Sequence, residues 1–232
     1  PAVGTHWYGS WIFFEYIDEH LGGSGMIENI FVEGINTNSE NGDYSHQAID
    51  DALSTIGSSF QEALNGMAIA NVVMSSNPGN DTEMYTYEEV ENFPIDGPAI
   101  YRTINFSDEE EFEFVQSTSL NQYASQYIQI DTDIPVLITL DTLNEPLSDF
   151  GLHCVVKYTD DNYEIITGNS LSIYNALDNA EEIYAVVVSQ DENSEDFNYI
   201  LKIEATNTPP EVFSIISPEL NAKLDTLFPR FE

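Results

Sequence analysis

The sequence predicts an α+β chain of two domains, an N-terminal four-helix segment followed by an antiparallel β-sandwich. Three observations carry that reading. Apolar residues recur at helical spacing as far as Val72. A stretch rich in proline and glutamate, from Asn80 to Pro98, then interrupts the chain. Beyond it, short apolar runs alternate with turn residues at intervals that suit strands.

Taken in order, Tyr8, Trp11, Ile12, Phe14, Tyr16 and Ile17 give the first helix a thick apolar face, and Gly22-Gly23 stops it. Ser24 can cap a second helix bearing Met26, Ile27, Ile30 and Phe31. The Asn-, Ser- and Gly-rich run from Asn36 to Asp43 reads as a loop. Ser45 caps a third helix with Ala48, Ile49, Ala52, Leu53 and Ile56, and Ser58 or Ser59 caps a fourth with Phe60, Ala63, Leu64, Met67, Ala68 and Val72. Asn77-Pro78-Gly79 is the expected end of that helix. Strands are expected at Phe112–Val115, Tyr123–Ile130, Val136–Leu140, Leu152–Tyr158, Tyr163–Thr167, Ser170–Tyr174, Ile183–Val188 and Tyr199–Ala205. The resulting division is a helical domain at 1–94, a sandwich at 95–207, and a last part at 208–232. That last part opens with Thr208-Pro209-Pro210 and begins either a further immunoglobulin- or fibronectin-like module or a strand donated to a partner.

Charge narrows the partners. Against 41 Asp and Glu the 232 residues carry only 5 Lys and Arg, a formal net of −36, and the first basic residue is Arg102. Such a surface repels phosphate backbones and anionic lipid heads, so nucleic acid and membrane surfaces are excluded as expected partners. Calcium, a basic partner, or adaptation to salty water all suit it, and composition leaves these open. No apolar run reaches the roughly 20 residues of a membrane-spanning helix. The single cysteine, Cys154, cannot form an internal disulfide and sits in the apolar run Leu152-His153-Cys154-Val155-Val156, as a buried inert thiol would. His153 and Cys154, as strand neighbours, point to opposite faces and so cannot act as a nucleophile–base pair. The Gly22-Gly23-Ser24-Gly25 run lacks a lysine and lies in an acidic field, so it reads as a turn between helices rather than a phosphate cradle.

The helical half resembles the C-terminal part of the catalytic domain in secreted gluzincin-type zinc metallopeptidases, in particular the metalloprotease family typified by myxobacterial secreted proteins. The residues that carry the resemblance are Tyr8-Gly9-Ser10-Trp11-Ile12-Phe13-Phe14-Glu15-Tyr16-Ile17-Asp18-Glu19-His20-Leu21-Gly22 and Met26-Ile27-Glu28-Asn29-Ile30-Phe31. Further along they are Ala48-Ile49-Asp50-Asp51-Ala52-Leu53 and Gly57-Ser58-Ser59-Phe60-Gln61-Glu62-Ala63-Leu64. The chain departs from that family at the metal. No His-Glu-x-x-His occurs, His6, His20, His46 and His153 are scattered, and the i, i+4 pair Glu15/Glu19 fits a solvated face. The resemblance therefore implies zinc only if its ligands lie upstream of Pro1, and it implies no catalytic residue here. Tyr184-Ala185-Val186-Val187-Val188 and Tyr199-Ile200-Leu201-Lys202-Ile203 resemble the closing strands of pre-peptidase C-terminal accessory sandwiches.

Calcium is the cofactor that acidic loops suit, with Asp160, Asp161 and Asn162 in one turn and Asp191, Glu192 and Asp196 in another as the candidate ligands. Asn80 and Asn105 head glycosylation triplets. The functional expectation is a non-catalytic portion of a secreted, acidic, multidomain metallopeptidase-like protein at the cell surface or outside it, its sandwich positioning the enzyme or binding substrate or surface. The alternative is a structural or adhesive subunit of an extracellular assembly, such as a filament or surface layer, built on an inactive peptidase scaffold. Its partners would be other domains of the same precursor, other extracellular proteins, or a second copy joined through the C-terminal strand.

Overall fold

A computed structural model describes residues 6–35, 45–77, 83–93, 96–107, 111–115, 120–143, 145–173, 179–190 and 198–206. Four helices form where the apolar spacing places them: α1 His6–His20, α2 Gly23–Ile35, α3 Ser45–Ser54 and α4 Phe60–Val73. Gly22 and Gly23 take φ of 112° and 72°, a left-handed corner that lets α2 start at once after α1. Ser59 caps α4, its hydroxyl accepting the Glu62 N–H at 3.1 Å. Tyr16 of α1 lies so close to Gly66 of α4 that a β-carbon there would overlap its ring, so the crossing of these helices depends on the glycine.

α4 ends at Val73, earlier than Asn77-Pro78-Gly79 suggests. Met74 turns left-handed at φ 41° and closes the last turn through its N–H to the Ala70 carbonyl. The chain then returns as two short 3-10 turns, Glu83–Tyr85 and Val90–Asn92. Tyr87, between them, is fully buried and donates its N–H to the Ser75 carbonyl at 3.1 Å, which ties this returning segment to the helix end.

The strands are β1 Ile100–Asn105, β2 Glu111–Val115, β3 Ser125–Asp131, β4 Val136–Thr142, β5 Phe150–Tyr158, β6 Tyr163–Thr167, β7 Ser170–Ile173, β8 Ala180–Ser189 and β9 Tyr199–Ala205. They form a five-stranded sheet in the order β1-β3-β8-β5-β6 and a four-stranded sheet in the order β2-β9-β4-β7. The expected sandwich is present, but it is not wholly antiparallel. β1 runs parallel to β3, with Ile104 opposite Ile130. The reason is the route between them: after β1 the chain crosses to the other sheet as β2 and comes back, and a crossover of that length is what a parallel pair needs.

One apolar cluster fills the space between the sheets, with Ile128, Ile138, Leu152, Cys154, Val187, Tyr199, Leu201 and Ile203 at its centre. A second lies on the other side of the five-stranded sheet, where Tyr127, Val155, Val186 and Val188 pack with Ile17, Leu53, Leu64 and Ile69 of the helices. The molecule is thus three layers: helices, five strands, four strands. β5 from Phe150 to Val156 is buried at every position because both its faces are covered. Residues 207–232, with the expected second linker and further module, lie outside the described chain.

Candidate functional site

Where α4 lies on the sheet, a polar seam fixes its place. The His153 ring, 4% exposed, meets Asn65 Oδ1 through Nε2 at 2.9 Å and the Thr167 hydroxyl through Nδ1 at 3.1 Å. Since Asn65 presents an acceptor, Nε2 carries the proton and Nδ1 accepts from Thr167. Burial holds this imidazole well below its ordinary value, at about 4, so it is neutral at pH 7. Further along α4, Tyr87 donates to Asn71 Oδ1 at 3.0 Å, Asn71 Nδ2 donates to the Tyr127 hydroxyl at 3.3 Å, and Ser125 donates to the same oxygen at 2.8 Å. These bonds set α4 along β5 in one register, its first turn near Gly151 and its last near Lys157.

That register leaves a step. Alternation places Lys157 on the same face as His153 and Val155. Across the strands Lys157 pairs with Tyr163 of β6 and Glu182 of β8, and Val155 pairs with Tyr184. α4 covers His153 and Val155 and then stops, so the next rung of the sheet runs out from under the helical layer. The result is a groove of about 580 Å³. It is lined by Lys157, Tyr163, Glu182 and Tyr184 of the sheet, by Val72, Val73 and Met74 at the end of α4, and by Asp96, Gly97, Pro98 and Ile100. A volume of this size falls in the range of ligand-holding clefts.

The groove is electronegative. Lys157 Nζ lies 3.8 Å from Glu182 and 3.7 Å from Glu181, and Asp96 of the lining is exposed. Lys157 is thus balanced by Glu181 and Glu182, Asp96 is a further carboxylate of the lining, and the negative end of the α4 dipole lies at the same groove. Burial first, and then the charge of Glu182, push the Tyr184 phenol up to about 12; burial likewise raises Tyr163. Both phenols stay protonated at neutral pH, and Tyr184 donates to the Glu182 carboxylate.

A second cluster sits at the end of α1. Both Glu19 oxygens lie 3.0 Å from the Glu88 N–H, and the His20 ring donates through Nε2 to the Thr86 carbonyl at 2.7 Å. These contacts clasp the 83–93 segment to α1. Burial, with the neighbouring charges of Glu15, Glu88 and Asp18, raises the Glu19 carboxyl to about 7, against a smaller lowering by the Glu88 N–H. Of the sequence pair Glu15/Glu19, expected on a solvated face, Glu19 is instead a packing contact with a backbone partner.

The residues singled out from sequence lie elsewhere. Asp160, Asp161 and Asn162 form the β5–β6 turn. Asp161 takes φ 60°, and Asn162 donates to both Asp160 oxygens, through its backbone N–H at 3.3 Å and its side-chain amide at 2.8 Å. Asp191, Glu192 and Asp196 are outside the described residues; the strand leading to them ends at Ser189, opposite Phe150, at the far end of β5 from that turn. Among the described residues no three His, Cys, Asp or Glu side chains come together as metal ligands. Asn105 is exposed at the end of β1, whereas Asn80 is outside the described residues. Cys154 is buried between the sheets, its thiol pushed up by burial, on the face opposite His153. No described helix is long and apolar enough to cross a membrane. Sequence reasoning passes over Asp96, Lys157, Tyr163, Glu182 and Tyr184; they come from four separated segments, and strand register unites all but Asp96. In comparison with known proteins, no family model matches the chain and no curated protein matches it.

Proposed function

We propose that this chain is a non-catalytic binding and positioning module of a larger secreted, acidic, metallopeptidase-like protein. The observation that carries the reading is the groove at the end of α4: it exists only because the helices are docked on the sheet, so the two parts jointly make a surface that neither makes alone. Three buried or half-buried titratable side chains among the described residues are committed to structure. His153 is neutral and shared between Asn65 and Thr167, Glu19 holds a backbone N–H, and Tyr87 is bonded to Asn71. On this reading the helices continue a peptidase-like body whose zinc ligands lie upstream, and the sandwich presents the groove to substrate or surface.

Hydrolysis of a casein substrate by the full chain, with zinc supplied and then chelated, tests this. The expected outcome is no cleavage above the buffer control in either state. Turnover that needs zinc and is lost on chelation would reverse the assignment.

A further inference from the structure

We propose that the segment 83–93 is a strap on α1 that opens more readily as pH rises toward neutrality, with Glu19 as the group that gives up the proton. Three contacts hold it closed. Glu19 accepts the Glu88 N–H through both oxygens at 3.0 Å, His20 Nε2 donates to the Thr86 carbonyl at 2.7 Å, and the Phe93 ring meets Trp11 edge-on with centroids 5.4 Å apart. Between them Tyr87 is fully buried, its N–H on the Ser75 carbonyl and its hydroxyl on Asn71. Opening uncovers that ring and, behind it, the Asn71–Tyr127 bond.

The weak point is the company Glu19 keeps. Its side chain is 9% exposed, and among the described residues its hydrogen-bond donor is a single backbone N–H. From α1 it faces Glu15 and Asp18, with His20 Nε2 3.7 Å away; from the strap it faces Tyr87 and Glu88, and Glu89 acts on Glu15. Asn71 of α4 and the Ser75 carbonyl beyond it, which also meet the strap, carry no charge. Burial, and with it the charges of Glu15, Glu88 and Asp18, hold the Glu19 carboxyl at about 7; the Glu88 N–H favours the ionised form and offsets part of this. Opening returns the carboxyl to water and toward its ordinary value of 4.5. The closed form therefore binds the proton more tightly. Opening is favoured as pH climbs from 4.5 and gains no more above 7. Ionised Glu19 still accepts the Glu88 N–H, so what changes is the opening equilibrium and not the closed geometry.

Amide hydrogen exchange of the full chain, followed by NMR between about pH 5 and 8 and corrected for intrinsic rates, reads the opening at Tyr87 and Glu88. Val186 and Val187 of the central strand β8 report global unfolding in the same spectra. The strap amides should be less protected than those of β8, with a protection that falls by about three- to tenfold per pH unit and levels near pH 7. Glu19→Gln should flatten that fall. Glu15→Gln removes a like charge and keeps the accepting carboxylate, so its levelling point should move to lower pH; it carries the test if Glu19→Gln does not fold. Glu28→Gln, on an exposed position of α2, should change neither. Strap amides that exchange at the β8 rate throughout would show that the segment lets go only when the molecule unfolds. A protection indifferent to pH, a levelling point unmoved in Glu15→Gln, or a fall as steep in Glu19→Gln as in the wild type, which would pass the titration to His20, would each overturn the assignment as well.

Discussion

His153 and Glu19 respond to pH in opposite senses. Burial depresses the His153 pKa from 6.5 to about 4. Between those values the unfolded chain takes up a proton that the folded chain refuses, so this residue's contribution is complete above pH 6.5 and is lost as pH falls toward 4. At the limit that loss is about 3 kcal/mol. Glu19 is raised from 4.5 to about 7, chiefly by burial. Here the folded chain keeps the proton longer, so its contribution is greatest below pH 4.5 and declines as pH rises through 7. Around it stand Glu15, Asp18 and His20 from α1 and Tyr87 and Glu88 from the returning segment, and its carboxylate neighbours deepen the penalty on its ionised form. Glu19→Gln should accordingly raise the melting temperature at about pH 8 and leave it unchanged near pH 5. A melting temperature lowered at both would show that the carboxylate is needed as such. His153→Gln should lower stability at neutral pH yet flatten the fall between pH 6.5 and 4; an acid slope as steep as that of the wild type would place the acid sensitivity elsewhere.

α4 owes its position to a small residue beneath its first turns. A β-carbon on Gly151 would stand 2.6 Å from Gln190 Nε2 and 3.0 Å from His153 Nε2, and against Asn65 as well. Gly151→Ala must therefore lift α4 or break the seam, at a cost of about 1–3 kcal/mol read from the shift in the urea midpoint. A midpoint unmoved by the substitution would mean that the seam gives way without cost. At this scale much is legible in the sequence. Apolar spacing and the Ser59 cap place the helices, and β6 and β9 begin and end where their alternation does. β1 is not legible, because as an edge strand it buries one position of six and shows no alternation to read. Nor is its parallel pairing with β3, since periodicity reports which face of a strand is buried but not the direction of its neighbour. α4 ends where Met74 turns left-handed, a conformation that no glycine at that position announces. The groove is the least legible part: Lys157, Tyr163, Glu182 and Tyr184 carry no motif and meet only through the register of three strands, and Asp96 joins them from before β1.

For the whole molecule the question is whether the helices and the sandwich fold as one unit. A composition shift at Asn80–Pro98 suggests two domains. The unbroken apolar runs of β5 and β8 suggest otherwise, because an antiparallel strand with one wet face alternates, whereas a strand covered on both faces does not. Val155, Val186 and Val188 gain their cover from the helical layer, and removing that layer would expose them together with the buried ring of Tyr127. The helices, for their part, lose the floor on which Leu64 and Ile69 pack. Each part thus completes the other's core, and neither has a solvent-ready face at the junction. The distribution of chromophores makes this measurable, since both tryptophans, Trp7 and Trp11, belong to α1 while the strands dominate the sheet signal in far-ultraviolet circular dichroism. In urea, tryptophan fluorescence and the sheet signal should change in a single coincident transition. Two separated midpoints, with the helical signal lost first, would instead mean that the five-stranded sheet keeps its structure with that face bare; the groove would then be a contact between two independent domains.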